Sequence, residues 1–142
     1  MFRALAILFL AALTATCGTR PQTTERKGRI IALTDSILTT GGTDTVRFGR
    51  LGSGEIAQLR LWLANDASRP VAVASYRRSC GCTTLEFDSQ PIAPGDAQQV
   101  TLTFDSRGEW GWQLKTMDIS LAGASQPLRL FIEADVEYMK HR

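Results

Sequence analysis

The chain has 142 residues, 16 basic and 14 acidic side chains and a single histidine, for a formal charge of +2. A near-neutral chain of this length holds one ordinary domain with a tail and makes no electrostatic claim on nucleic acid. A nucleophilic serine or cysteine needs a base to take its proton, yet the only histidine is His141 near the C-terminus, so the chain is expected not to be an enzyme.

Arg3, an apolar run from Ala4 to Leu13 and a small-residue approach to Cys17 have the form of an export signal. The run is too short for the roughly 20 residues of a bilayer-spanning helix, and no second long apolar run follows. Residues 1–16 are expected to be a signal peptide, with Cys17 the lipid-attachment residue. Two alternatives stay open: a buried helix beginning at the same run, and cleavage nearby that leaves an unlipidated secreted protein. Thr16 is bulkier than the Gly, Ala or Ser usual before a lipidated cysteine, and Leu13 stands one position too far from Cys17. The expected location is that of an exported, membrane-anchored lipoprotein facing the periplasm, with envelope proteins as partners.

Residues 17–45 read as a lipid-anchored linker, rich in Thr, Gly and Arg and without aromatics. A flexible segment of this length spans roughly 30 Å, enough to hold a domain clear of a membrane. Its one apolar stretch, Ile30-Ile31-Ala32-Leu33, could instead add an edge strand. The clusters Arg26-Lys27-Gly28-Arg29 and Arg77-Arg78 read first as solvated surface, with Arg77 and Arg78 kept as candidate partner contacts.

From residue 46 to 137 apolar residues recur with a period of two, as one buried strand face requires. Leu59, Leu61 and Leu63 form one such run; Val71 and Val73 begin another. Val100, Leu102 and Phe104 follow, then Met117, Ile119 and Leu121, then Leu128, Leu130, Ile132, Ala134 and Val136. No segment shows a helical period. Turn chemistry separates the runs, as in Pro94-Gly95, where proline presets φ and glycine supplies the positive φ of a type II turn. About seven short strands in roughly 100 residues predict an all-β, immunoglobulin-like antiparallel sandwich, followed by a tail at 138–142.

Certain motifs along this stretch also carry a resemblance. Phe48-Gly49-Arg50-Leu51, Asn65 before Pro70-Val71, Ser79-Cys80-Gly81-Cys82-Thr83, Ile92-Ala93-Pro94-Gly95 and Phe104-Asp105-Ser106-Arg107-Gly108 resemble the bacterial domain-of-unknown-function family 1573. The Cys-Gly-Cys-Thr element is the most specific of them. The resemblance implies a hydin-like, ASH-type immunoglobulin domain of the kind common in exported lipoproteins of Gram-negative bacteria, with no activity assigned to the family.

Cys80 and Cys82 admit three readings: a structural turn, reduced or bonded; a thiol-disulfide site, its thiolate favoured by Arg77 and Arg78; or a soft-metal site for Cu(I). No cofactor is expected on the first two. Positions i and i+2 of an extended strand lie about 6.5 to 7 Å apart, at the edge of the disulfide range, so a bond demands a kink that Gly81 could supply. Closing so small a ring constrains the unfolded chain little. A closed zinc site wants four ligands, which the chain does not bring together.

Carboxylates at Asp88, Asp96, Asp105, Glu109 and Asp118 read as turn caps or wet strand faces. Trp110-Gly111-Trp112 reads as one indole filling the sandwich core and the other lying over its edge; the competing reading projects the aromatics onto a carbohydrate or onto a partner, with Trp110 the candidate partner contact.

Overall fold

The computed structural model describes residues 28–138. The expected signal peptide at 1–16, the lipid site Cys17, the linker up to residue 27 and the tail beyond residue 138, with His141, lie outside the described residues.

Eight strands and one short helix form two four-stranded sheets: β1 (Arg29–Leu33), α1 (Asp35–Thr40), β2 (Gly42–Gly52), β3 (Ile56–Asn65), β4 (Val73–Arg78), β5 (Thr83–Glu86), β6 (Ala97–Asp105), β7 (Gly111–Leu121) and β8 (Leu128–Glu137). One sheet runs β1-β3-β6-β5 and the other β2-β8-β7-β4. The period-two residues meet between them: Leu61, Leu63, Val100, Leu102 and Phe104 from the first face Met117, Ile119, Leu130 and Ile132 from the second, all essentially buried. The β-sandwich read from alternation is the fold.

The chain enters the sandwich earlier than expected. Residues 28–45, assigned to the linker, supply β1, α1 and the start of β2. Ile31 and Leu33 are buried because β1 lies parallel to β3, with Ile31 opposite Leu63 and Leu33 opposite Asn65. The segment looked like a tether because an edge strand needs only one apolar face, and its backbone polar groups are met by the neighbouring strand. The helix was also missed. Its six residues are too few to show a 3.6-residue period, and it holds by capping: the Thr34 hydroxyl accepts from the Ile37 amide at 3.3 Å, and Leu38 is buried in the core.

The sheets are mixed rather than wholly antiparallel. β1 pairs parallel with β3, and β2 pairs parallel with β8. Both parallel partners come from the N-terminal segment that docks onto sheets whose other pairs are antiparallel. β2 carries a register shift between Arg47 and Arg50, where Gly49 has φ of 73°.

Five connections between described strands cross from one sheet to the other. Two of them matter for function: residues 79–82 carry the chain from β4 to β5, and residues 106–110 carry it from β6 to β7. These two crossovers meet.

Candidate functional site

Cys80 and Cys82 are joined by a disulfide, with their Cα atoms 5.1 Å apart, well inside the separation of an extended strand. The turn at 80–82 provides the shortening, and Gly81 does so without a left-handed φ. A Cβ at position 81 would meet nothing within 4 Å. The expectation that glycine's special dihedrals make the bond possible is therefore corrected.

The turn is tied down on three sides. The Ser79 amide donates to Thr116 at 2.9 Å, and the Thr116 amide returns a bond to the Ser79 hydroxyl at 2.9 Å. The Asp105 amide donates to the Cys82 carbonyl at 2.8 Å. Arg78 donates to the Thr83 carbonyl at 2.7 Å, so this expected contact residue braces the turn. Arg77 is exposed, its guanidinium 3.9 Å from Asp118.

The charged group set against the disulfide is Glu109, which the sequence reading had placed among solvated carboxylates. Its Oε1 lies 3.8 Å from Cys80 Sγ, while Oε2 lies 3.2 Å from the Lys115 ammonium. The Cys82 amide points at the same sulfur, N to Sγ 3.1 Å. Glu109 and Lys115 are about four-fifths covered, with side-chain exposures of 21% and 19%. Glu109 is held by the turn that begins at Ser106, whose carbonyl accepts the Glu109 amide at 3.0 Å. Ser106 is itself buried, its hydroxyl 2.8 and 2.7 Å from the carbonyls of Gly52 and Glu55. One signal in the sequence could have exposed this pair. Counting back by twos from Met117 places Lys115 at an inward position, where a lysine needs a partner.

Both Sγ atoms and a Glu109 oxygen lie within 4.8 Å of one another. As a set of two sulfurs and one oxygen they could engage a soft cation once the disulfide is opened, since the thiolate is the metal-binding form. Closed as a disulfide, the sulfurs are not thiolates.

Trp110 follows Glu109 directly, and both Trp110 and Trp112 are exposed, at 55% and 64%. The expected core position for one of them is corrected: Phe104, Leu102 and Met117 occupy the interior, and β7 begins at Gly111 with Trp110 before it and Trp112 on it, both indoles outside the core. Trp110 stacks on Tyr138, ring centroids 5.7 Å apart. Trp112 and Leu114, two residues apart on the outer face of β7, are both exposed. Trp112 also walls a groove of about 180 Å³ with Arg47, Arg50, Glu133 and Asp135. Arg47 pairs with Glu133 at 2.9 Å and Arg50 with Glu137 at 3.4 Å, which leaves Asp135 as the groove's carboxylate without an ion pair among the described residues. Tyr138, Leu114 and Asp135 escaped sequence reading because period-two alternation marks a residue as outward without saying which outward residues adjoin.

Fold and site thus define a two-sheet β-sandwich with a disulfide at the junction of two inter-sheet crossovers and an aromatic patch beside it. Residues 39–136 match the model of a family described as a protein of unknown function (DUF1573), and the chain belongs to that family. The penton protein of Human adenovirus C serotype 2 is 29% identical over 79 residues, which is 55% of this chain but 14% of the penton protein. Among solved structures, a protein of unknown function from Porphyromonas gingivalis W83 superposes with a TM-score of 0.57 at 18% identity, over 64% of this chain and 43% of that one. The VesB protease of Vibrio cholerae gives 0.52 at 15% identity, over 64% of this chain and 30% of the protease. Likenesses at such identities show the fold alone.

Proposed function

We propose that this protein is an exported envelope lipoprotein, anchored to the membrane through Cys17, whose sandwich is a binding or scaffolding module for a partner protein. The observation that carries the reading is the grouping of Trp110, Trp112, Leu114 and Tyr138, large apolar side chains left in solvent on a domain whose core is otherwise well filled. Trp110 stacks on Tyr138, and Trp112 and Leu114 share one face of β7; exposed aromatics gathered at one strand start mark interaction surfaces, and tryptophan and tyrosine are the side chains most often found as binding anchors. The unpaired Asp135 beside Trp112 specifies the partner's chemistry: an apolar segment bearing a cationic side chain, which the carboxylate and the indole face together accommodate.

The test places a photo-crosslinking residue at Trp112 and, in a second strain, at Arg60, an exposed position on the other sheet. The expected result is a discrete adduct with an envelope protein from position 112 and none from position 60, lost when Asp135→Lys is added. Identical adducts from both positions, or an adduct indifferent to Asp135→Lys, would overturn the docking surface. Recovery of the mature chain in the soluble fraction would overturn the anchoring.

A further inference from the structure

We propose that Cys80 and Cys82 form a thiol-disulfide exchange site acting on a disulfide of a partner protein, with Cys82 the sulfur that joins the partner and Cys80 the resolving thiol, deprotonated by Glu109. The proposal goes beyond the docking surface and does not depend on it.

Stability is a weak reason for this bond, because a ring enclosing one intervening residue removes little freedom from the unfolded chain. Its surroundings are those of a reacting centre. Both cysteines are only part-buried. The two oxygens of one carboxylate are divided in function: Lys115 holds Oε2, which turns Oε1 toward Cys80 Sγ. A backbone amide aims at that same sulfur at 3.1 Å, where it stabilises negative charge as it develops. Cys80 therefore has both a base for its proton and a donor for its thiolate, and the chain of bonds through Ser106 fixes that base in place.

The chemistry balances in two steps. In the dithiol form, the Cys82 thiolate attacks one sulfur of the partner disulfide; the new bond joins Cys82 to the partner, and the other partner sulfur leaves as a thiolate and takes up a proton from solvent. Glu109 then accepts the Cys80 proton, and the Cys80 thiolate attacks Cys82 Sγ. The Cys80–Cys82 bond closes, the second partner sulfur leaves, and it is protonated from Glu109. Two electrons pass to the partner, and the closed bond described above is the product. An external dithiol returns the site to its starting form. Glu109 touches a reacting atom and is the catalytic residue; Lys115 is a positioning residue.

The experiment follows the full chain carrying Cys17→Ser, which removes the third of its three cysteines and serves as the wild-type reference, reduced with dithiothreitol and freed of it, as it reacts with 5,5′-dithiobis(2-nitrobenzoate). The first thionitrobenzoate released reports attack by a cysteine, and the second reports ring closure. Wild type is expected to release two in resolved phases. Cys80→Ser should stop at one, with the adduct on Cys82. Glu109→Gln should slow the second phase about tenfold or more at neutral pH, at the low end of general-base contributions, with the first phase within about twofold and Glu109→Asp restoring part of the rate. A second phase unchanged or faster in Glu109→Gln overturns the proposal, since loss of a neighbouring negative charge alone would raise the thiolate fraction. A native disulfide that excess dithiothreitol fails to open overturns it as well. If Glu109→Gln does not fold, Lys115→Met carries the test. The titratable groups around the sulfur are Glu109 and Lys115, with Arg78 bracing the turn and the Asp105–Arg107 pair at the other end of the Glu109 turn. Lys115→Met, which frees the carboxylate from its anchor, should slow the second phase with the first phase within about twofold, and Lys115→Arg should restore part of the rate; an unslowed second phase in Lys115→Met overturns the assignment.

Discussion

The side-chain amide of Asn65 donates to the carbonyl of Ile92, 27 residues away, at 2.7 Å. The same NH₂ group donates to the Arg69 carbonyl at 2.8 Å, and the side-chain oxygen accepts from the Ala67 amide at 2.9 Å. Asn65 is fully buried, so three backbone groups of two separate loops depend on one side chain. Replacing it by Ala removes three bonds at once, leaving the Ile92 carbonyl only the Val71 amide. At roughly 1 kcal/mol per bond, Asn65→Ala should cost about 3 kcal/mol in urea unfolding, and Asn65→Asp, which has no donor for the two carbonyls, should cost at least as much. A loss under about 1 kcal/mol would show that the loops find other partners.

Acid should loosen the fold through particular aspartates. Asp118 accepts from Arg129 Nε at 2.6 Å and from its terminal nitrogen at 2.8 Å, and this bond first, with the Arg129 and Arg77 charges, holds the carboxyl below its ordinary value of 3.8. Asp105 is lowered by its bonds to Arg107, and Asp35 by the backbone amide and hydroxyl of Ser68. A carboxyl depressed in the folded state contributes its full stabilisation above the unfolded value and loses it as pH falls through the folded one. Stability should therefore hold from neutral pH down toward about 4 and decline below it. Asp118→Asn should cost about 0.5 kcal/mol at pH 7, the scale of an exposed pair, and flatten the acid limb. An acid limb unchanged in that variant would remove Asp118 from the account.

Two glycines with equally open surroundings should respond oppositely to alanine. Neither Gly49 nor Gly81 would bring a Cβ within 4 Å of another group. Gly49, however, has φ of 73° at the register shift of β2, where an L side chain costs about 1 to 2 kcal/mol. Gly81 lies outside the left-handed region, so alanine there should be neutral or slightly stabilising by restricting the unfolded chain. Paired unfolding curves check this. Equal losses at both positions would mean that φ does not govern them.

These cases show what the sequence made legible. Alternation located β3, β6, β7 and β8 because each has one face in the core, and it named most of the core from Leu61 to Val136, though not Ala64, Ala67, Leu85 or Ile92. β1 was legible only as an alternative to the linker and α1 not at all, because an edge strand and a six-residue helix carry too few apolar residues for a period to emerge. The Cys-Gly-Cys element was conspicuous, but Glu109, 29 residues from Cys80, reaches it only because two inter-sheet crossovers adjoin. No local pattern encodes that adjacency. Lys115 left a trace only as a charge at an inward position.

The tryptophans give a direct optical test of the aromatic patch. Of the three in the chain, Trp110 and Trp112 are more than half exposed, whereas Trp62 on β3 is only partly so. Acrylamide should quench most of the wild-type emission, and the emission left in Trp110→Phe/Trp112→Phe should be quenched distinctly less. Trp112→Ala should change stability by less than about 0.5 kcal/mol, because an exposed side chain away from any cap or network contributes little to folding. Trp110→Ala forfeits the stack on Tyr138 and should cost about 0.5 to 1 kcal/mol. The two substitutions thereby separate a side chain with a packing role from one whose exposure is unexplained by folding. If Trp112→Ala instead lowered stability by 2 kcal/mol or more, a value typical of core truncation, Trp112 would be packed in the fold and the docking surface would lose its central anchor.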